Sequence, residues 1–315
     1  MARRAVVTGA FSYIGAAVSA ELLARGWEVR TLTNRRPPPE SKIASAPLLF
    51  EPEHLRRQLE GADLFVNTFW VRIPYGGETF QGAVEKSGTL FSAAESAEVG
   101  RVVHVSVSNP GAGLNLGYYA GKAKVEDRLR SGKVPYAIVR PTLVVGPGDV
   151  LTSNIAWLLR RFPLFPVPDG GHCKLQPVTL ADTARIIADA AEGEAGAEVD
   201  AAGPEAMTFW EYVQAVASAC GLTRLLVSMP AWAALGGLAL LEPLLGDVIL
   251  TEEELKGLQQ ELLLSHEPPL GTQSVRHWLQ ANASSLGRSY VNDVRRHFGS
   301  DRDKPVLVPE RLVVR

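Results

Sequence analysis

Tyr118 and Lys122 stand four residues apart in the run Tyr118-Tyr119-Ala120-Gly121-Lys122. On a helix such a pair shares one face, and the side chains can approach each other. An ammonium beside a phenol favours the phenolate and lowers the tyrosine pKa toward the range of a working acid–base. Tyr-x-x-x-Lys arises often by chance, so its position matters. It follows an apolar run ending His104-Val105-Ser106-Val107-Ser108-Asn109. There Ser108 can polarise a carbonyl oxygen alongside Tyr118. Neither Ser106 nor Ser108 has the flanking glycines of a hydrolase nucleophile elbow. The chemistry indicated is proton exchange at a carbonyl or hydroxyl group.

A second motif lies almost at the start of the chain: Ala5-Val6-Val7-Thr8-Gly9-Ala10-Phe11-Ser12-Tyr13-Ile14-Gly15. A strand-like run leads into it and a helix-like run leads out. That setting gives a glycine fingerprint its meaning. Gly9 permits a tight turn after the strand, and Gly15 permits close helix–sheet packing. The helix N-terminus then offers N–H groups and the positive end of its dipole to a pyrophosphate. Thr8, Phe11, Ser12, Tyr13 and Ile14 complete the expected cofactor loop. Ser12 stands where a middle glycine is usual; it narrows the approach and can donate a hydroxyl hydrogen bond. The next strand ends Thr33-Asn34-Arg35-Arg36, with no acid for a ribose 2′-hydroxyl. Asn34, Arg35 and Arg36 therefore favour the 2′-phosphate of NADP(H), with NAD(H) as the other possibility.

Elements of regular length must hold these motifs. Strands are predicted at 5–8, 28–33, 48–50, 64–67, 101–107 and 136–140, with helices near 16–25, 54–59, 80–98 and 122–131. Several strands are continuously apolar, which suits a sheet covered on both faces. The βαβα rhythm predicts an α/β, Rossmann-type doubly wound parallel sheet. It gives way after Gly146-Pro147-Gly148 to a mostly helical region. The expected organisation is a dinucleotide-binding domain over 1–150 with 176–202 returning to it, a substrate or docking region over 151–175 and 203–298, and a loosely held tail over 299–315. Thr208-Phe209-Trp210-Glu211 and Thr251-Glu252-Glu253-Glu254 are capping boxes that start helices.

The chain resembles the short-chain dehydrogenase/reductase superfamily, in its atypical and extended branch. The motifs that carry the resemblance are Thr8-Gly9…Gly15, Gly61-Ala62-Asp63, Asn67-Thr68, Tyr118…Lys122, Arg140-Pro141-Thr142 and Gly146-Pro147-Gly148. Farther along come Asn154 to Arg161, Gln176-Pro177-Val178 and Ala202-Gly203-Pro204-Glu205. There the chain is similar to the nucleotide-binding accessory subunit of respiratory complex I and its bacterial relatives. The resemblance implies hydride transfer at nicotinamide C4. Tyr118 would exchange the proton, Lys122 would hold the nicotinamide ribose, and Ser108 would orient the oxygen. It further implies that Asp63 supports the adenine side, that Asn67 and Thr68 line the cofactor, and that Pro141 and Thr142 sit beside the nicotinamide. The helix with Val84-Glu85-Lys86-Ser87 lacks the asparagine often used to support a proton-relay water.

Two other readings belong to different classes: a non-catalytic NADP(H)-holding scaffold or redox sensor, and an epimerase or dehydratase that retains NAD. Substrate groups are expected from the loop 69–77, with Trp70, Arg72 and Tyr75, and from the region after Gly148. The loop 109–117 is expected to act as a lid. The partner is a small molecule. A net charge of −2 over 315 residues gives no reason to expect nucleic acid. Cys173 and Cys220 suggest neither a disulfide framework nor, with His172, a metal site. Together with an N-terminus that leaves no room for a targeting segment, they point to the cytoplasm. The apolar stretch 225–250 contains Pro230, Glu242 and Pro243 and lacks the ~20 unbroken apolar residues of a spanning helix. It is expected to be a buried segment, or one that docks on a membrane or protein complex.

Overall fold

Apolar strand runs without polar alternation need cover on both faces, and the chain supplies that cover from both sides of one sheet. The computed structural model describes residues 3–299. The first half contains β1 (Arg4–Thr8), α1 (Tyr13–Ala24), β2 (Glu28–Leu32), β3 (Ala44–Ala46), α2 (Pro52–Leu59), β4 (Leu64–Asn67), α3 (Phe80–Ser96), β5 (Arg101–Val105), α4 (Gly117–Arg130) and β6 (Tyr136–Pro141). The remainder runs through β7 (Leu143–Val145), α5 (Val150–Arg161), β8 (Leu164–Pro168), β9 (Lys174–Leu175), β10 (Pro177–Thr179), α6 (Leu180–Glu192) and β11 (Ala197–Ala201). It ends with β12 (Met207–Thr208), α7 (Phe209–Ala219), β13 (Leu225–Met229), α8 (Ala231–Ala239), α9 (Glu242–Leu245), α10 (Glu252–Gln259), α11 (Val275–Ala281) and α12 (Asp293–Phe298).

Seven strands form one sheet in the order β11-β6-β5-β4-β1-β2-β3. Every pairing in it is parallel. Two cores cover it. On one face α1 and α6 bury Val18, Leu22, Ile187 and Ala188 against Ala5, Val7 and Val103. On the other, Leu55, Leu59, Leu90 and Leu129 meet Val6, Phe65 and Ile138. A third core belongs to the later region, where Ile155, Leu159, Phe165, Tyr212, Val213 and Leu279 pack together. Later in the chain β10 pairs with β7 in a separate two-stranded sheet, and β11 joins the seven-stranded sheet beside β6.

The strand expected at 48–50 is absent, and β3 lies at Ala44–Ala46 instead. The cause is local. The Asn34 side chain accepts from Leu48 N at 3.0 Å and donates to Leu48 O at 3.3 Å, so an amide takes the place of a ladder partner. The stretch 225–250 forms β13, α8 and α9 and leaves much of its apolar surface exposed. Among the described residues no helix is long and apolar enough to cross a membrane. Of the tail expected over 299–315, residues 300–315 lie outside the described residues.

Candidate active site

The strand order reverses between β1 and β4, and ligands of open parallel sheets bind beyond the strand ends at such a point. The chain leaves β1 through Gly9, whose φ of +69° is the left-handed conformation that glycine adopts freely. Ser12 N donates to Gly9 O at 2.8 Å, and the Ser12 hydroxyl folds back onto the same carbonyl. A Cβ on Gly15 would lie 2.2 Å from Gly9 O, so only glycine lets α1 start this close. With its hydroxyl turned inward, Ser12 gives α1 no side-chain cap. The first-turn N–H groups thus remain for an anion. In this respect the loop fits a pyrophosphate, and Ser12 does not fill it.

Hydroxyls join the neighbouring strand end to this turn. Thr68 N donates to Thr8 Oγ1 at 2.8 Å, and Thr68 Oγ1 donates to Thr8 O at 2.6 Å. Fully buried Asn67 accepts from Phe69 N and lies 3.2 Å from His104 Nδ1. The other expected loop residues divide. Phe11 is buried in the core beneath α1, and Ile14 packs against that core. Tyr13 turns its hydroxyl toward Gly146, where it is buried with no hydrogen-bond partner among the described residues.

Lys122 and Tyr118 are both on α4, as the spacing predicts. Lys122 is buried, donates from Nζ to Val105 O at 2.9 Å, and lies 4.8 Å from the centre of the Trp70 ring. Burial pushes its pKa down to about 7, against a smaller opposing pull from Glu126. Tyr118 meets the edges or faces of Trp70, Phe80 and Tyr119 at centroid distances of 5.9, 5.9 and 5.4 Å. No described residue hydrogen bonds to its hydroxyl. The expected lowering of the Tyr118 pKa is reversed: burial raises it well above its ordinary value, and the Glu254 carboxylate adds to the rise. The physical reason is the aromatic surround. It desolvates phenol and lysine alike and disfavours the charged form of each.

Ser108 does not present a free proton. Its Oγ donates to Leu262 O at 2.6 Å, and Asn109 Nδ2 donates to Leu262 O and Leu264 O. The expected lid over 109–117 is therefore pinned. A Cβ at Gly113 would come within 2.8 Å of both Tyr119 and Leu262, so the later chain packs tightly upon it. Helix α10 lies over the start of α4: Glu253 accepts from the backbone N of Gly117 at 3.2 Å and of Tyr118 at 3.3 Å. Arg72 from the expected substrate loop pairs with Glu254 at 2.6 Å and Asp293 at 3.3 Å.

Several assignments need correction. Asp63 precedes β4 and accepts from Arg4 N at 2.7 Å, at the sheet edge opposite the glycine turn, so it is remote from the cleft. Thr142 is committed to structure, with Oγ1 donating to Gln176 O and N donating to Ala201 O. Pro141 is buried in β6 opposite Ala201. Asn34 clasps Leu48, as described. Arg36 is exposed after β2, whereas Arg35 donates to Arg296 O at 2.8 Å.

That last contact reveals a group the sequence reading missed. Helix α12 crosses the cleft, and Arg296 Nη1 donates to Gly148 O at 2.9 Å. The charges of Arg296, Tyr13 and Asp149 act on one another here, and burial pushes the Asp149 carboxyl up to about 6. Phe298 of the same helix packs on Tyr75, with ring centroids 5.0 Å apart. Only the basic composition of 295–297 hinted at this helix. Its partners are spread over the first half of the chain.

The strand order, the reversal point and the glycine turn define a Rossmann-type fold. The chain is 30% identical over 172 residues to a ceramide reductase of Caulobacter vibrioides, over 51% of this chain and 52% of that protein. It thus spans about half the length of the curated relative it matches. Among solved structures it resembles MoeE5 in complex with UDP-glucose and NAD (TM-score 0.65, 18% identity, 89% of this chain and 97% of that one). It also resembles DesIV, a dTDP-glucose 4,6-dehydratase from Streptomyces venezuelae with NAD bound (TM-score 0.60, 22% identity, 71% and 84%). No family model matches the chain. The likeness to the complex I accessory subunit is carried by sequence motifs alone.

Proposed function

We propose that the chain is an NADP(H)-dependent oxidoreductase of the short-chain dehydrogenase/reductase type, acting on a carbonyl or hydroxyl group of an apolar small molecule. One observation carries this reading. The uncapped start of α1 behind Gly9 shares a sheet edge with a phenol, Tyr118, whose hydroxyl no described residue engages and which lies against the same Trp70 ring as the buried Lys122. A bound nicotinamide would supply or accept the hydride. In reduction the Tyr118 hydroxyl gives its proton to the carbonyl oxygen, and the Lys122 ammonium stabilises the phenolate left behind. Ser108 offers the substrate only oxygen lone pairs.

The missing carboxylate after β2 and the exposed Arg36 favour the 2′-phosphate. NAD(H) is the competing cofactor, named with the similar structures. The aromatic surround of Tyr118, formed by Trp70, Phe80 and Tyr119, and the similarity to a ceramide reductase both favour an apolar ketone. The test is fluorescence titration with NADPH and NADH, on the wild type and on Arg36→Ala. NADPH oxidation with a long-chain ketone follows. Tighter NADPH binding, relaxed by Arg36→Ala, with turnover that Tyr118→Phe removes, is the expected result.

A second reading rests on Ser108 being bound to Leu262 and on α12 lying across the cleft: a protein that holds the nucleotide without turning it over. Copurified nucleotide that no carbonyl compound oxidises would favour it. A third, favoured by the similar structures named with NAD and nucleotide sugars, is an epimerase or dehydratase. It would show no net cofactor consumption.

A further inference from the structure

Residues 225–241 contain no charged side chain, yet their surface is open to solvent. Trp232, Leu240 and Leu244 are 77%, 77% and 83% exposed on α8, its C-terminal end and α9. They recur at intervals of four with Gly236 between, so the exposed apolar positions wind along the outer side of the two short helices. The opposite side of the same segment is anchored: Ala234 is buried, and Leu238 and Leu241 pack on the third core. Helix α8 packs along β8. At the start of the β8–β13 ribbon, the paired Leu164 and Leu225 are a further 46% and 65% exposed.

Four arginines gather toward the β8–β13 end of this face. Arg161 ends α5 two residues before β8, and Arg224 directly precedes β13. Arg160 and Arg288 stand close enough together to act jointly on the Cys220 thiol. All four donate to main-chain carbonyls: Arg160 to Leu286 O, Arg161 to Trp157 O, Arg224 to Leu159 O and Arg288 to Ser284 O. Among the described residues, no carboxylate lies within ion-pair distance of any of them. Arg161 stacks on Trp157 at 4.1 Å, Trp157 meets Tyr290 edge-on at 5.3 Å, and the Tyr290 hydroxyl donates to Asp247 just past α9. Acids border the stripe as well and are held by neutral donors: Glu242 accepts from Ile249 N, and Asp169 accepts from Ala231 N and Gln259.

We propose that this face docks the protein on an anionic lipid bilayer. The Trp232–Leu240–Leu244 stripe enters the interface, and the arginines lie over the headgroups. Apolar burial and attraction to anionic lipid together give such binding its strength. A protein partner would be expected to match the four arginines with acids around a smaller patch. The proposal stands whether or not the chain turns over NADPH.

Full-length protein is sedimented with vesicles of phosphatidylcholine alone and of phosphatidylcholine with phosphatidylglycerol. The expected result is binding to the anionic vesicles that weakens with salt. L240E/L244E should lower it about tenfold or more. Because both leucines are exposed, the variant's melting temperature and NADPH titration should match the wild type, which separates lipid binding from misfolding and from cofactor loss. Arg161→Glu should weaken binding to anionic vesicles specifically. Absence of sedimentation with either vesicle would overturn the proposal. So would binding that L240E/L244E leaves intact, or self-association through this face with vesicles ignored.

Discussion

Three side chains at the α4–β5 corner separate catalysis from support. An unfolded lysine titrates near 10.5, but burial holds Lys122 near 7. Below pH 7 both states are protonated, and the desolvation cost is fully present. Between about 7 and 10.5 the unfolded chain binds the extra proton, so stability rises with pH through that window. Denaturant unfolding should show a gain of roughly 2–3 kcal/mol between pH 7 and 9.5, which Lys122→Met flattens. Tyr118→Phe should lower kcat by about 10²–10⁴ while NADPH titration is unchanged, since the ring stays and only the proton is lost. Ser108→Ala should instead cost about 0.5–1.5 kcal/mol of stability, because Leu262 O loses one donor and keeps Asn109 Nδ2, and should change turnover little. The sequence made the identities and spacing of these residues legible. It could not make legible the commitment of Ser108, which depends on a carbonyl 154 positions later.

Continuous apolar runs marked β1, β4, β5 and β6 clearly, because both of their faces are covered. Both capping boxes start helices as their residues predict. The failure at 48–50 came from a side-chain amide substituting for a strand, which hydrophobic periodicity cannot register. Asp63 was misjudged because a motif fixes neighbours along the chain and not the end of the strand at which it lies. Helix α12 was the largest omission: six residues whose meaning lies in contacts with Gly148, Arg35, Arg72 and Tyr75. Since α12 crosses the cleft, Arg296→Ala should loosen it and speed NADPH association several-fold in stopped flow. A loss of affinity with an unchanged association rate would instead make Arg296 a ligand of the cofactor.

Across the whole molecule, one sheet is assembled from two separated stretches of chain. β6 is fully buried along Ala137, Ile138 and Val139, and its outer ladder is supplied by β11, which arrives after residues 146–196 have formed much of the later region. β11 in turn carries Glu198 at the new margin. Arg130 and Arg140 clamp that carboxylate and hold it down to about 2. A charged margin discourages further strand addition. A fragment ending at residue 150 should therefore aggregate in light scattering, and one ending after 201 should do so far less. In a cell the same dependence is a matter of timing. A polypeptide emerging from the ribosome at about 5–20 residues per second holds an unfinished, adhesive sheet for several seconds before its last strand is translated. In that interval a chaperone is best placed to find it.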